Sequence, residues 1–194
     1  MCVLLASGRP TSWGPRYTGA MPSPDRSPTI DPARAVVRHV VATLAYRAAK
    51  VLREVPSGFG GTAFGASTRR PVLIVSHMAD LMAWGVSMAS GGHAWKAAGS
   101  DDWDVEVRRF FDGLAALDEA LSQQGPLAGS LDQIIQGPLA DALTHTGQLA
   151  MLRGMAGAPV KPESYARAAI VPGRVGLDQA PPGREFDGDA SVRK

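Results

Sequence analysis

The chain has 194 residues and a formal net charge of +2, with 20 Lys and Arg against 18 Asp and Glu, and a single Cys. That length holds one well-filled domain with tails, and leaves no room for a second independent core. Basic residues are scattered among acidic ones and form no stripe interleaved with aromatics, which argues against a nucleic-acid surface, while one Cys excludes an internal disulfide and suits a reducing compartment.

Residues 1–29 are rich in Pro, Gly, Ser and Arg and show no apolar period of two or 3.6 residues, so they bury too little to offset their ordering entropy. A disordered lead is expected there, with Met21 as an alternative start. The opening Met1-Cys2-Val3-Leu4-Leu5-Ala6 lacks a basic segment and is too short an apolar run for a signal peptide. No later segment reads as apolar for long enough to span a bilayer, so a soluble, cytoplasmic protein is expected.

Asp31-Pro32 is a helix start, with Asp as N-cap and Pro in the first turn. Val36, Val37, Val40, Val41, Leu44, Ala48, Val51 and Leu52 then recur at helical spacing, giving a first helix that ends near Pro56. His39 falls on the Thr43, Tyr46 and Lys50 edge and reads as a solvated surface histidine. The following Ser57 to Thr68 stretch is glycine-rich, but lacks the Gly-Lys-Ser/Thr ending of a phosphate loop and any strand before it, so it reads as a flexible connection. Its two Phe residues are placed to fold over a neighbouring cleft.

A second helix is expected from Pro71 to Ser90, stopped by Gly91-Gly92, with Leu73, His77, Leu81, Trp84 and Met88 as its inward stripe. His93 sits in the glycine turn and reads as exposed. Asp101, Asp102, Asp104 and Glu106 crowd the start of a third helix, where carboxylates suit the helix dipole. Phe110, Leu114, Leu117 and Leu121 form its core stripe, and Gly125-Pro126 closes it. A short helical piece from Ser130 to Gln136 leads to Gly137-Pro138, where Pro is expected to open a last helix reaching about Gly157, with Leu139, Ala142, Leu149, Leu152 and Met155 inward.

That last helix carries the chemistry. Asp141 and His145 stand four apart, one turn apart on one face, and Gln148 and Leu152 continue it. An Asp on an inward face needs a partner, because an unpaired buried carboxylate costs several kcal/mol. His77 becomes a third ligand for a metal ion if the second and last helices pack side by side; on its own residues it is read first as a satisfied core histidine. Asp80, one turn beyond His77, is either a surface residue or the acceptor that orients its imidazole. After Pro159 periodicity is lost, and residues 159–194 read as an extended tail in which Ala168 to Pro172 can lie against the bundle and the last dozen residues are mobile.

Val75-Ser76-His77-Met78-Ala79-Asp80-Leu81 and Asp141-Ala142-Leu143-Thr144-His145-Thr146-Gly147-Gln148 together resemble the DinB-like four-helix bundles, whose motif is His-x-x-x-His-x-Gly-Gln with an earlier histidine in the second helix. The resemblance covers about residues 31–157. It implies an all-α four-helix bundle over residues 30–158 that binds a divalent metal, with His77 and His145 as two ligands and Asp141 standing where the family has its first helix-four histidine. A carboxylate at that position shifts the expected metal from nickel toward zinc, iron or manganese, with zinc foremost. The resemblance further implies a metal-dependent thiol transferase or a hydrolase acting on a small molecule, with a low-molecular-weight thiol as a candidate partner. A non-catalytic, metal-free bundle with a binding or stress-related role is the alternative. A homodimer is compatible with the Ala-rich helix faces; no nucleic acid and no membrane are expected as partners.

Overall fold

The structure, a computed structural model, describes residues 31–186; the expected lead, with Met21, and residues 187–194 lie outside them. The described residues form an all-α four-helix bundle. Helix α1 runs over Pro32–Leu52, α2 over Pro71–Ala89 and α3 over Trp103–Ser122. The fourth arm is a rod of α4 (Leu131–Ile134), a π-helical turn (Ile135–Leu139) and α5 (Ala140–Met155). Packed neighbours are α2 with α3, α3 with α1, α1 with α5 and α5 with α2. Consecutive α1 and α2 therefore lie diagonally opposite, and α2 faces α5 along its length.

The first helix starts as its sequence dictates, with Asp31 Oδ1 accepting from Ala33 N at 3.0 Å and Pro32 in the first turn. Val37, Val41, Leu44, Ala48, Val51 and Leu52 are buried, and His39 is exposed as expected. Val36 departs from the expected stripe at 62% exposure, because Val37 and Val41 already fill the inward face. In α3, Asp102 caps Asp104 N and Val105 N, and Phe110, Leu114, Leu117 and Leu121 are fully buried. Arg38 of α1 grips Asp118 of α3 with two hydrogen bonds of 2.9 and 2.7 Å, and that pairing raises the guanidinium pKa despite its burial.

The α1–α2 connection crosses the bundle, and its glycine-rich part is more than a tether. Phe59, in a 3₁₀ turn over Phe59–Gly61, is buried edge-on against Trp103 at 5.6 Å and Phe64 at 5.9 Å. A Cβ at Gly60 would stand 2.9 Å from the Trp103 ring, so that close approach requires glycine. The plug fixes where residues 62–70 re-enter α2.

Two expectations about α2 are corrected. Its core face is Ile74, Val75, Met78, Ala79, Leu81, Met82 and Met88, while Leu73 is exposed and His77 and Trp84 are half-buried at the border. The stripe chosen by spacing alone was rotated, because α2 buries a wide arc against α3 and only its flank meets α5. Moreover, Pro71–Ala89 is long and apolar enough by composition to cross a bilayer, contrary to expectation, with 67% of that window buried inside the bundle. A core helix surrounded on most sides has the same composition as a membrane span.

Pro138 does not open a new helix. It sits inside the π turn, in a rod that passes into α5 without a break. Lacking an N–H, proline cannot join the i→i−4 ladder, and a π turn accommodates the slip without ending the helix. The turn seats on α2: a Cβ at Gly137 would lie 3.2 Å from Trp84, and one at Gly85 would lie 3.4 Å from Pro138. That seat sets the register of Asp141, one residue past the start of α5, against His77.

Residues 159–186 lie against the bundle through Ile170, Val175 and Tyr165, with one buried carboxylate as their polar anchor. Glu163 accepts from Tyr46 Oη at 2.6 Å and from Lys50 Nζ at 2.8 Å, and Lys50 also reaches Glu185 at 2.7 Å, with an antiparallel bridge joining Glu163 and Glu185. Tyr46 and Lys50, expected on a solvated edge, are thus covered, and residues 183–186 are tied down where mobility was expected. Burial alone would raise the Glu163 pKa, but Lys50 and Tyr46 overcome it and hold it below the usual range; Lys50 is raised by its two carboxylates against the pull of burial. Burial and Glu163 push the Tyr46 phenol strongly up.

A depressed Glu163 contributes stability that is present above its ordinary pKa of about 4.3 and is lost as pH falls through the lower folded value; a raised Lys50 contributes up to about pH 10.4 and loses it above. The tail is therefore expected to stay docked between those limits. Glu163→Ala is expected to raise amide hydrogen exchange across residues 160–186 at least tenfold at pH 7 while α2 and α3 stay protected. Unchanged exchange there would mean that the apolar contacts of Ile170 and Val175, not the clasp, hold the tail.

Candidate metal centre

Three side chains from two helices meet at the α2–α5 seam. His77 Nε2 lies 3.2 Å from Asp141 Oδ2, and His145 Nε2 lies 3.3 Å from Asp141 Oδ1. One ligand atom from each of the three falls within 4.8 Å of the others, a group that can hold a metal ion. Helical geometry explains two of them, since Asp141 and His145 are one turn apart on α5. The third arrives because α2 packs beside α5, with the two imidazoles edge-on at a centroid distance of 4.9 Å. All three sequence-derived positions are thus brought together.

Burial is intermediate for each: the side chains of His77, Asp141 and His145 are 26%, 45% and 13% exposed. The group is open to solvent on one side, which leaves a cation reachable by a small molecule. Its donors are two imidazole nitrogens and a carboxylate, a set that divalent cations accept while keeping further positions free. Tetrahedral coordination at about 2.0–2.1 Å puts ligand atoms roughly 3.3 Å apart, the spacing already present on both sides of Asp141.

His145 Nδ1 lies 2.8 Å from Gln148 Oε1, one turn on, a contact that holds the ring with its Nε2 toward Asp141 Oδ1. With Nδ1–H donating to Gln148, Nε2 presents a lone pair, the form that a cation takes up; with Nε2–H donating to Asp141, the Gln148 amide turns to donate to Nδ1. Gln148, which continues the helix face and ends the His-x-Gly-Gln stretch, stands three residues after His145, and that spacing is the signal for this contact.

Asp80 does not orient His77. It is buried, accepting from Arg109 Nη1 at 2.6 Å and from Ala98 N at 3.2 Å. Three residues after His77, it points toward α3, while His77 points toward α5. Arg109 also binds Glu106 and the Ser76 carbonyl, and Glu106 accepts from Ser100 N and Oγ. The clamp holds residues 98–100 against α2, so that Trp95 lies edge-on to His77 at 5.6 Å and to Trp84 at 5.9 Å. Trp95 was not anticipated, since nothing in a loop sequence announces a long-range ring contact.

A cleft of about 500 Å³ opens beside the group, lined by Ser67, Thr68, Arg69, Ile74, His77, His145, Gln148, Met151 and Leu152. Its size suits a small molecule. The far wall is the end of the glycine-rich connection, next to Arg70, which pairs with Asp101 at 3.1 Å. Compared with known proteins, the chain matches no family model, no curated protein and no solved structure.

Proposed function

We propose that this protein is a divalent-metal-binding four-helix bundle of the DinB-like kind, working as a metal-dependent thiol transferase or hydrolase on a small molecule. The observation that carries this is the convergence of His77, Asp141 and His145 at the mouth of a cleft of small-molecule size. Zinc is the proposed metal, with iron and manganese next and nickel disfavoured by the carboxylate. A cation held by these residues supplies a Lewis acid that lowers the pKa of a thiol or water at neutral pH. The chain's own part is to hold the His145 ring through Gln148, to orient His77 between Asp141 and Trp95, and to leave the ligand group open on the cleft side. A cytoplasmic location and a homodimer belong to the same proposal.

A second reading has one observation in its favour: 3.2 and 3.3 Å are also hydrogen-bond separations, so Asp141 can bridge two protonated imidazole nitrogens in a metal-free, non-catalytic bundle. Metal content of the untagged protein, measured by inductively coupled plasma mass spectrometry before and after incubation with zinc, separates the two. About one metal per chain is expected. No uptake of zinc, manganese or ferrous iron would overturn the metal reading in favour of the hydrogen-bonded triad.

A further inference from the structure

The cleft has a cation of its own. Arg69 lines it, and among the described residues the Arg69 side chain makes no hydrogen bond, ion pair or ring contact, whereas its neighbour Arg70 is paired with Asp101 at 3.1 Å. Four arginines of the bundle are committed, Arg34 to the carbonyls ending α3, Arg38 to Asp118, Arg109 to Asp80 and Glu106, and Arg153 to four carbonyls, while Arg108 on α3 is unpaired among the described residues but lies away from this cleft. Beside Arg69 on the same wall stand Ser67 and Thr68. Ile74, Met151 and Leu152 make the intervening surface apolar, and His77 and His145 close the other side, with Asp141 behind them.

We propose that the cleft takes a small molecule with a carboxylate at one end, bound by Arg69 with the Ser67 and Thr68 hydroxyls at its side, an aliphatic middle, and the reacting group at the His77, Asp141 and His145 end. The inference rests on the metal reading above and adds the substrate class to it. A guanidinium presents a planar fork that matches a carboxylate through two parallel hydrogen bonds. One such fork with two hydroxyls suits a singly charged carboxylate. A phosphoryl group, carrying more charge, would call for a second cation, and no other Lys or Arg lines this cleft. The length of chain between the two ends then selects among carboxylates.

The test uses the full chain loaded with cobalt(II), whose sulfur-to-metal absorption reports thiol binding, and two pairs of probes: mercaptopropionate against mercaptopropanol, and mercaptohexanoate against mercaptohexanol. At least one acid is expected to bind about five- to tenfold more tightly than the alcohol of equal length, as one partly solvated charge-assisted pair allows. Arg69→Gln is expected to abolish that preference while leaving cobalt stoichiometry and alcohol binding unchanged, and Arg69→Lys to restore only part of it. Cobalt uptake with equal affinity for acid and alcohol at both lengths would overturn the carboxylate subsite and leave the metal reading standing. A preference that survives Arg69→Gln would also overturn it. No cobalt uptake by the wild type would remove the reading on which the subsite depends, and both would fall.

Discussion

Replacing Arg109 with Met is expected to destabilise the protein by about 3 kcal/mol, a large part of the total stability of a domain this size. Arg109 stands between two carboxylates that have almost no access to water, Asp80 at 5% and Glu106 at 1% exposure. It reaches Asp80 at 2.6 Å and Glu106 at 2.6 and 2.8 Å, and these partners raise its pKa although burial pulls the other way. Met keeps most of the aliphatic volume and removes the charge, so the cost arises from two buried anions left without a counter-ion. Urea unfolding at pH 7 measures it, and Arg109→Met combined with Asp80→Leu and Glu106→Leu should recover most of the loss. A single-variant cost under about 1 kcal/mol would mean that the two carboxylates are solvated well enough to stand alone. Because the clamp also holds residues 98–100, the variant should free Trp95 from His77, read as a change in tryptophan emission before the unfolding transition.

Local signals and long-range ones differ in how far sequence reaches them. Apolar spacing in α3 and the Asp31-Pro32 start of α1 were legible because a helix determines its own inward face and its own cap. Asp141 and His145 were legible for the same reason, and His77 needed only that α2 pack on α5. Arg109 was not legible as a clamp, since its partners Asp80 and Ser76 lie on another helix; by spacing alone Glu106 and Arg109 form an ordinary surface pair. Tyr46 and Lys50 carry no local sign that Glu163, more than a hundred positions later, covers them. Pro138 misled in the opposite way: proline usually begins a helix, and only the seat on Trp84 and Gly85 keeps the rod continuous through it. Arg69 carries no local sign of the cleft it borders, since it stays exposed there and an exposed arginine in a loop is ordinary.

Asp141→Ala is expected to weaken metal binding more than about a hundredfold, a larger loss than follows from removing a residue that only hydrogen-bonds a ligand, with little change in the stability of the metal-free protein. Its carboxylate is 45% exposed, so its removal creates neither a cavity nor a buried unpaired group. It is also the only anion in the group and lies between both imidazoles, at 3.2 and 3.3 Å, so without it two neutral nitrogens remain to hold a doubly charged ion. Binding stabilises the folded state by about 2.7 kcal/mol when free metal is at a hundred times its dissociation constant, which makes thermal unfolding a direct readout. Zinc should raise the midpoint of the wild type by several degrees and leave that of Asp141→Ala unmoved. Asp141→His should retain the zinc-dependent rise and gain a comparable one with nickel, because an all-imidazole set is softer than one containing a carboxylate. An equal zinc-dependent rise in wild type and Asp141→Ala would place the ion elsewhere. A nickel response unchanged between wild type and Asp141→His would show that cleft geometry, not the carboxylate, sets the choice of metal.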